Sequence, residues 1–196
     1  MLTRPYDDRD GRKVWLSAEE TDRLLDAADG STQRLAFALG ARVGRRSAEA
    51  AGVTPADLKD TDAGPMIRVR EPVAKGEKYR EAPVPPALAR EIEAVAEHRA
   101  EPADAPIVDA TTRTLRRWIE TAREELAEQT DDPDWQYLGF HDLRRTRATA
   151  LKSADVEPML VCDWGGWSDL ETFLDHYRGE FTLDAQRRER GKVGWL

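Results

Sequence analysis

Apolar residues recur at helical spacing along most of this chain, and the pattern is interrupted only once by a strand–turn–strand. That alternation restricts the fold to a mainly helical α+β domain with a small antiparallel sheet or hairpin. Ser17-Ala18-Glu19-Glu20 has the capping-box pattern, with Ser17 as N-cap, and opens a helix carrying Leu24, Leu25, Ala27 and Ala28. Gly30 and Ser31 end it, and Leu35, Ala36, Phe37 and Leu39 begin a second, well buried helix. Met66–Glu71 alternates Ile67 and Val69 with arginines, Ala74–Lys78 is a turn, and Tyr79–Val84 returns as a second strand. Further helices are expected over Leu88–Arg99, from a Thr112 cap through Leu126, and from Phe140 onward. Short ones follow from Pro158 and after the Gly165-Gly166 turn. Residues 1–16 read as a loose lead-in, and Asp131–Gln136 as a polar loop.

The chain has 196 residues, of which 40% are hydrophobic, enough for one domain with a real core. No apolar run is long enough to span a membrane, the polar start is unlike a signal peptide, and the expected location is the cytoplasm. One cysteine, Cys162, excludes an internal disulfide framework and argues against a cysteine-based metal site. There are 38 acidic and 30 basic residues, for a net charge of -8, and the basic set is nearly all arginine. Such a balance fits a halophilic protein, kept soluble in a high-salt cytoplasm by a hydrated acidic surface. It argues against non-specific DNA binding, but leaves room for a locally basic groove.

The stretch Phe140-His141-Asp142-Leu143-Arg144 is the most chemical in the chain. His141 and Arg144 stand three apart at a helix start and share a face, with Leu143 and Ala150-Leu151 as the apolar side that seats it. An imidazole can move a proton near neutral pH, and a guanidinium can grip a phosphate through parallel N–H bonds. Arg46 and Glu49, one turn apart, form a pair in which the carboxylate can orient the guanidinium. Taken locally, that pair reads better as a surface ion pair, His141 and Arg144 as a solvated helix face, and Lys75 as a solvated hairpin tip.

Taken together these pieces resemble the catalytic domain of the tyrosine recombinases, the phage-integrase family. Gly44, Arg46 and Glu49 match its Gly-x-Arg-x-x-Glu helix. Lys75-Gly76 matches its β-turn lysine, with Ala74 in place of the first glycine. His141 and Arg144 match its His-x-x-Arg motif, Gly166-Trp167 its Gly-His/Trp pair, and Tyr177 its nucleophile. The likeness covers roughly residues 13–180. It implies a catalytic domain over 17–180, a lead-in over 1–16, and a tail over 181–196 that docks on a neighbouring subunit.

What the resemblance implies chemically is metal-free, cofactor-free transesterification on double-stranded DNA through a 3′-phosphotyrosine. Arg46, Arg144 and Trp167 would hold the phosphate. His141 would take the tyrosine proton or hydrogen-bond the phosphate, Lys75 would protonate the leaving 5′ oxygen, and Glu49 would support Arg46. The expected assembly is a tetramer on two duplexes. Three departures stand out. The 16 residues before the first capping box leave no room for the family's N-terminal DNA-clamping domain, so a separate core-binding or accessory protein becomes a candidate partner. Tyr177 follows Trp167 by ten positions where the family has nine, and one residue turns a helical side chain by about 100°. The surface is acidic. These departures motivate an alternative, a catalytically silent DNA-binding module of the same fold that regulates a full-length recombinase.

Overall fold

The computed structural model describes residues 1–70, 79–167, 170–171, 173 and 183–195. Its elements are β1 (Leu2–Pro5), β2 (Arg12–Trp15), α1 (Ala18–Asp26), α2 (Ser31–Val43), α3 (Ser47–Ala51), β3 (Leu58–Lys59), β4 (Met66–Val69) and β5 (Arg80–Pro83). They continue with α4 (Pro86–Arg99), α5 (Thr112–Thr130), α6 (Phe140–Ser153), α7 (Pro158–Gly165) and α8 (Leu183–Gly191). The fold is mainly helical with, among the described residues, two small antiparallel sheets, β1-β2 and β3-β4-β5. Among the described residues no helix is long and apolar enough to cross a membrane.

Helix α2 is the centre of the core, with Leu35, Ala36, Phe37 and Leu39 fully buried. It packs closely on α6 because Gly40 has no side chain: a Cβ there would stand 2.8 Å from Leu143 Cδ1. Leu115, Ile119, Ala122 and Leu126, at helical spacing on α5, close another side. In the three-stranded sheet Ile67 lies opposite Ala82 and Val69 opposite Arg80. The capping box at Ser17 forms as read, with Ser17 Oγ accepting from Glu20 N and Glu20 accepting from Ser17 N.

Four local readings change. Residues 1–16 are an ordered hairpin, with Leu2 opposite Trp15 and with Val14, Trp15 and Leu16 buried. α6 fixes this hairpin, since Asp142 accepts from Val14 N at 3.3 Å and Thr146 Oγ1 from Leu16 N at 3.0 Å. Residues Pro133–Tyr137 form a 3-10 turn that buries Trp135, where the composition suggested only a polar loop. Thr111, one residue earlier than expected, caps α5 by accepting from Thr114 N. Ala150, assigned to the apolar side of α6, is exposed, and the helix is seated instead through Phe140, Leu143 and Ala148.

Candidate nucleic-acid site

The chain leaves α2 through Gly44, which adopts φ +78°, a left-handed C-cap that favours glycine. That turn delivers Arg45 and Arg46 to the start of α3. Glu49 lies three residues into the new helix, and its Oε2 accepts the backbone N–H of Arg46 at 3.0 Å. Its Oε1 accepts Arg46 Nη1 at 2.7 Å. This is no surface pair. Glu49 is 2% exposed, and its Oε2 also accepts Arg80 Nη2 at 2.7 Å. Burial, the largest influence, would raise the Glu49 pKa, but Arg80 and then Arg46 outweigh it and hold the carboxyl at about 2.

Arg144 joins distant segments. From α6 its Nη1 donates to Gly44 O at 2.9 Å and its Nη2 to Gly165 O at 2.6 Å. Its guanidinium carbon lies 4.1 Å from the centroid of the Trp167 ring, a stacked cation–π arrangement. Trp167 in turn meets Phe173 edge-on at 5.2 Å. One buried side chain therefore connects the turn before Arg46, the α6 helix and the glycine turn before Trp167. Gly166 ends α7 in the left-handed region at φ +68°, as the chain turns toward that tryptophan.

More cations crowd this point. Arg45 is 1% exposed and donates through Nη2 to Ile67 O at 2.6 Å. Its Nε and Nη1 are buried without a hydrogen-bond partner among the described residues. Burial first, then the Arg80 charge, pushes its pKa down to about 9. Arg147, lowered by burial to about 10, lines a small cavity with Arg144, Gly165 and Trp167. At neutral pH Arg45 and Arg147 are still charged. Among the described residues Glu49 is the one carboxylate ion-paired with any of Arg45, Arg46, Arg80 and Arg147. Among its described residues, a protein with a net charge of -8 thus concentrates positive charge in one place, the electrostatic footprint of an anion site.

His141 is exposed and faces a second space, a groove of about 510 Å³. Ser47 from α3, Arg116 and Arg123 from α5, and Tyr6 and Arg12 from the hairpin also line that groove. Arg46, Glu49, Arg144 and Trp167 thus fall in connected segments around one point, with His141 one turn away on α6. Lys75 and Tyr177, and with them His176, lie outside the described residues. Arg45, Arg80 and Arg147 escaped the sequence reading. In a chain so rich in arginine, nothing about their type marks them. Only the alternation of β5, which puts Arg80 on the inward face with Ala82 and Val84, carried a signal.

The geometry defines a class, a mainly helical domain that gathers guanidinium groups at the meeting point of a capped turn, a central helix and a glycine turn. The phage integrase family model matches residues 14–182, and the chain belongs to that family. No curated protein matches the chain by sequence. Among solved structures, XerA recombinase is similar with a TM-score of 0.70 at 20% identity, covering 92% of this chain and 65% of that one. The Tn1549 transposon integrase in complex with transposon right end DNA is similar at 0.69 and 18%, covering 96% and 68%. XerH site-specific recombinase bound to difH substrate, a pre-cleavage complex, follows at 0.64 and 20%, covering 92% and 54%. At these identities the likeness is one of fold. The chain spans just under two thirds of the XerA chain and about half of the XerH chain.

Proposed function

We propose that this protein is a site-specific DNA recombinase or integrase that cuts and rejoins duplex DNA through a covalent phosphotyrosine. The observation carrying the reading is Arg144, whose bonds to Gly44 O and Gly165 O draw the Arg46 and Trp167 segments together around excess positive charge. In the reaction the Tyr177 oxygen forms a bond to a backbone phosphorus while the bond from phosphorus to the 5′ oxygen breaks. The product is a 3′-phosphotyrosine and a free 5′-hydroxyl. His141 accepts the phenolic proton, and Lys75 supplies the proton that the 5′ oxygen takes up. Negative charge grows on the non-bridging oxygens, and Arg46 and Arg144 meet it as fixed, permanently charged donors. The reversed step, with another 5′-hydroxyl as attacker, reseals the strand, so no hydrolysis and no cofactor are required. The indole N–H of Trp167 is a donor for the same phosphate.

The named neighbours bind transposon right end DNA and difH substrate, which supports duplex DNA as the partner here. Assembly as a tetramer on two duplexes, a tail docking between subunits and a cytoplasmic location belong to the same reading.

The test is a nicked suicide duplex incubated with the protein in potassium chloride and resolved under denaturing conditions. The expected result is a covalent band that disappears in Tyr177→Phe. DNA binding without any band in the unaltered protein would assign it instead as a silent module of the same fold. A band that persists in Tyr177→Phe would assign the nucleophile elsewhere.

A further inference from the structure

Arg80 is a buried charge to which the chemistry above gives no part. It opens β5, is 8% exposed, and donates through Nη2 to Glu49 Oε2 at 2.7 Å. The two oxygens of Glu49 are thereby divided: Oε1 takes Arg46 Nη1, and Oε2 takes Arg80 Nη2 together with Arg46 N. With one partner a carboxylate can still rotate. Held on both oxygens, it presents a fixed acceptor to Arg46.

We infer that Arg80 is a positioning residue that sets the direction of the Arg46 guanidinium through Glu49. The inference rests on the reading of Arg46 as a phosphate donor. A second contact extends it. A Cβ on Gly166 would stand 2.8 Å from Arg80 Cδ and 2.9 Å from its Nε, so the Arg80 side chain lies directly against the turn before Trp167. Arg80 thus touches the segments bearing Arg46 and Trp167, on a strand reached two residues after segment 71–78, which holds Lys75.

Electrostatics point the same way. Burial is the largest influence on Glu49 and disfavours its charge; Arg80 opposes that most strongly, ahead of Arg46. Arg46 therefore leans on a carboxylate that Arg80 keeps ionised. Among the described residues, Arg45 beside it and Arg144 and Arg147 from α6 bring further positive charge to this point. Of the helices packed on α3, α5 sends Arg116 and Glu120 to the groove lined by Ser47, and α2 carries Arg42, paired with Asp22.

The test is an acid titration of the Glu49 carboxyl by carbon NMR on the whole, DNA-free chain. In the unaltered protein the midpoint is expected at about 2. Arg80→Met should raise proton affinity at least about tenfold, one pH unit. Arg46→Met should raise it less, and Arg80→Lys should recover part of the Arg80→Met change. An unmoved midpoint in Arg80→Met, or a larger shift in Arg46→Met, overturns the inference. If Arg80→Met does not fold, Arg80→Gln and Arg80→Lys are ranked against Arg46→Met in the same titration, with the same two outcomes against it. Adduct formation on nicked DNA gives the companion measurement: adding Arg80→Met to Glu49→Gln should slow it no further, and additive losses refute action through Glu49. An unaltered protein that forms no adduct refutes the phosphotyrosine reading alone, because the titration needs no DNA.

Discussion

The two halves of the site rest on different foundations. Arg46, Glu49 and Arg80 stand against the large core that runs from Val14 through α2 to Leu143. Trp167 stands at the edge of a separate cluster, which among the described residues consists of Ala148, Val161, Cys162 and Phe173. Buried area scales with stabilisation at about 25 cal/mol per Å², so among the described residues the first half is held by far more burial than the second. The difference teaches where the site can yield. Local opening takes the smaller free energy where fewer apolar contacts must separate, and that is the tryptophan side. Arg144 joins the halves by donating to Gly44 O in one and Gly165 O in the other.

Removing that join should have the largest effect. Arg144→Met takes the Arg144 donor from the buried Gly44 O, at about 1–3 kcal/mol, and from the part-buried Gly165 O, and removes the charge proposed to meet the phosphate. Adduct formation on nicked DNA should fall by on the order of 10²–10³, and urea denaturation should show the stability loss. A variant retaining near-normal adduct yield would break the comparison, because the halves would then be held together by something other than Arg144.

The two cores can be weighed directly by aromatic truncation. Phe37 is 0% exposed inside the large core and Phe173 is 1% exposed in the small one. Truncation of a buried phenylalanine to alanine costs about 3–5 kcal/mol, and the cost depends on how far the surroundings can collapse. Phe37→Ala should lie at the upper end and Phe173→Ala at or below the lower end, measured by urea midpoints with equal slopes. Equal losses would show that the small cluster is as firmly packed as the large one.

These features were unevenly legible in the sequence. The helical core was readable because α2 and α5 carry their apolar residues at helical spacing, and the Arg46/Glu49 pair because three positions suffice to see it. What lay hidden was supplied from a distance. Glu49 is a buried hub only because Arg80, 31 residues on, reaches its second oxygen. The hairpin over 1–16 looked loose because its fourth to twelfth residues are mostly charged. It is tied down by Asp142 and Thr146, 128 and 130 residues away. Trp135 sits among acids and a proline in sequence, and only tertiary packing reveals it as 1% exposed. Arg144 shares a helix with His141, yet one is buried and the other exposed, a distinction that spacing alone does not make.

Acid should test the firmer half. The folded Glu49 carboxyl titrates at about 2, below its ordinary value of 4.5. A depressed carboxyl contributes stability that is full above the unfolded value and lost as pH falls through the folded one. The window is therefore about pH 4.5 down to 2, and the amount is on the order of 3 kcal/mol at 1.36 kcal/mol per unit. Glu49→Gln should flatten that part of the stability curve, followed by thermal unfolding against pH. An unchanged acid limb would mean that Glu49 is not the group Arg80 and Arg46 hold ionised.

The smallest effect compares one glycine from each half. Gly44 and Gly166 both have positive φ, at +78° and +68°, and a Cβ on either would stand 2.8 Å from an arginine Cδ, Arg147 for Gly44 and Arg80 for Gly166. Alanine in the left-handed region costs about 1–2 kcal/mol, so thermal unfolding should register similar losses for Gly44→Ala and Gly166→Ala. Their consequences should then diverge. Gly166→Ala pushes on Arg80, which holds Glu49, so its damage should pass to Arg46 and appear as a raised Glu49 titration midpoint. Gly44→Ala pushes on Arg147, which donates through Nη2 to Pro83 O at 3.3 Å, and should leave that midpoint in place. If both glycine variants shift the titration equally, the turn before Trp167 has no privileged hold on Arg80, and the two halves of the site communicate through Arg144 alone.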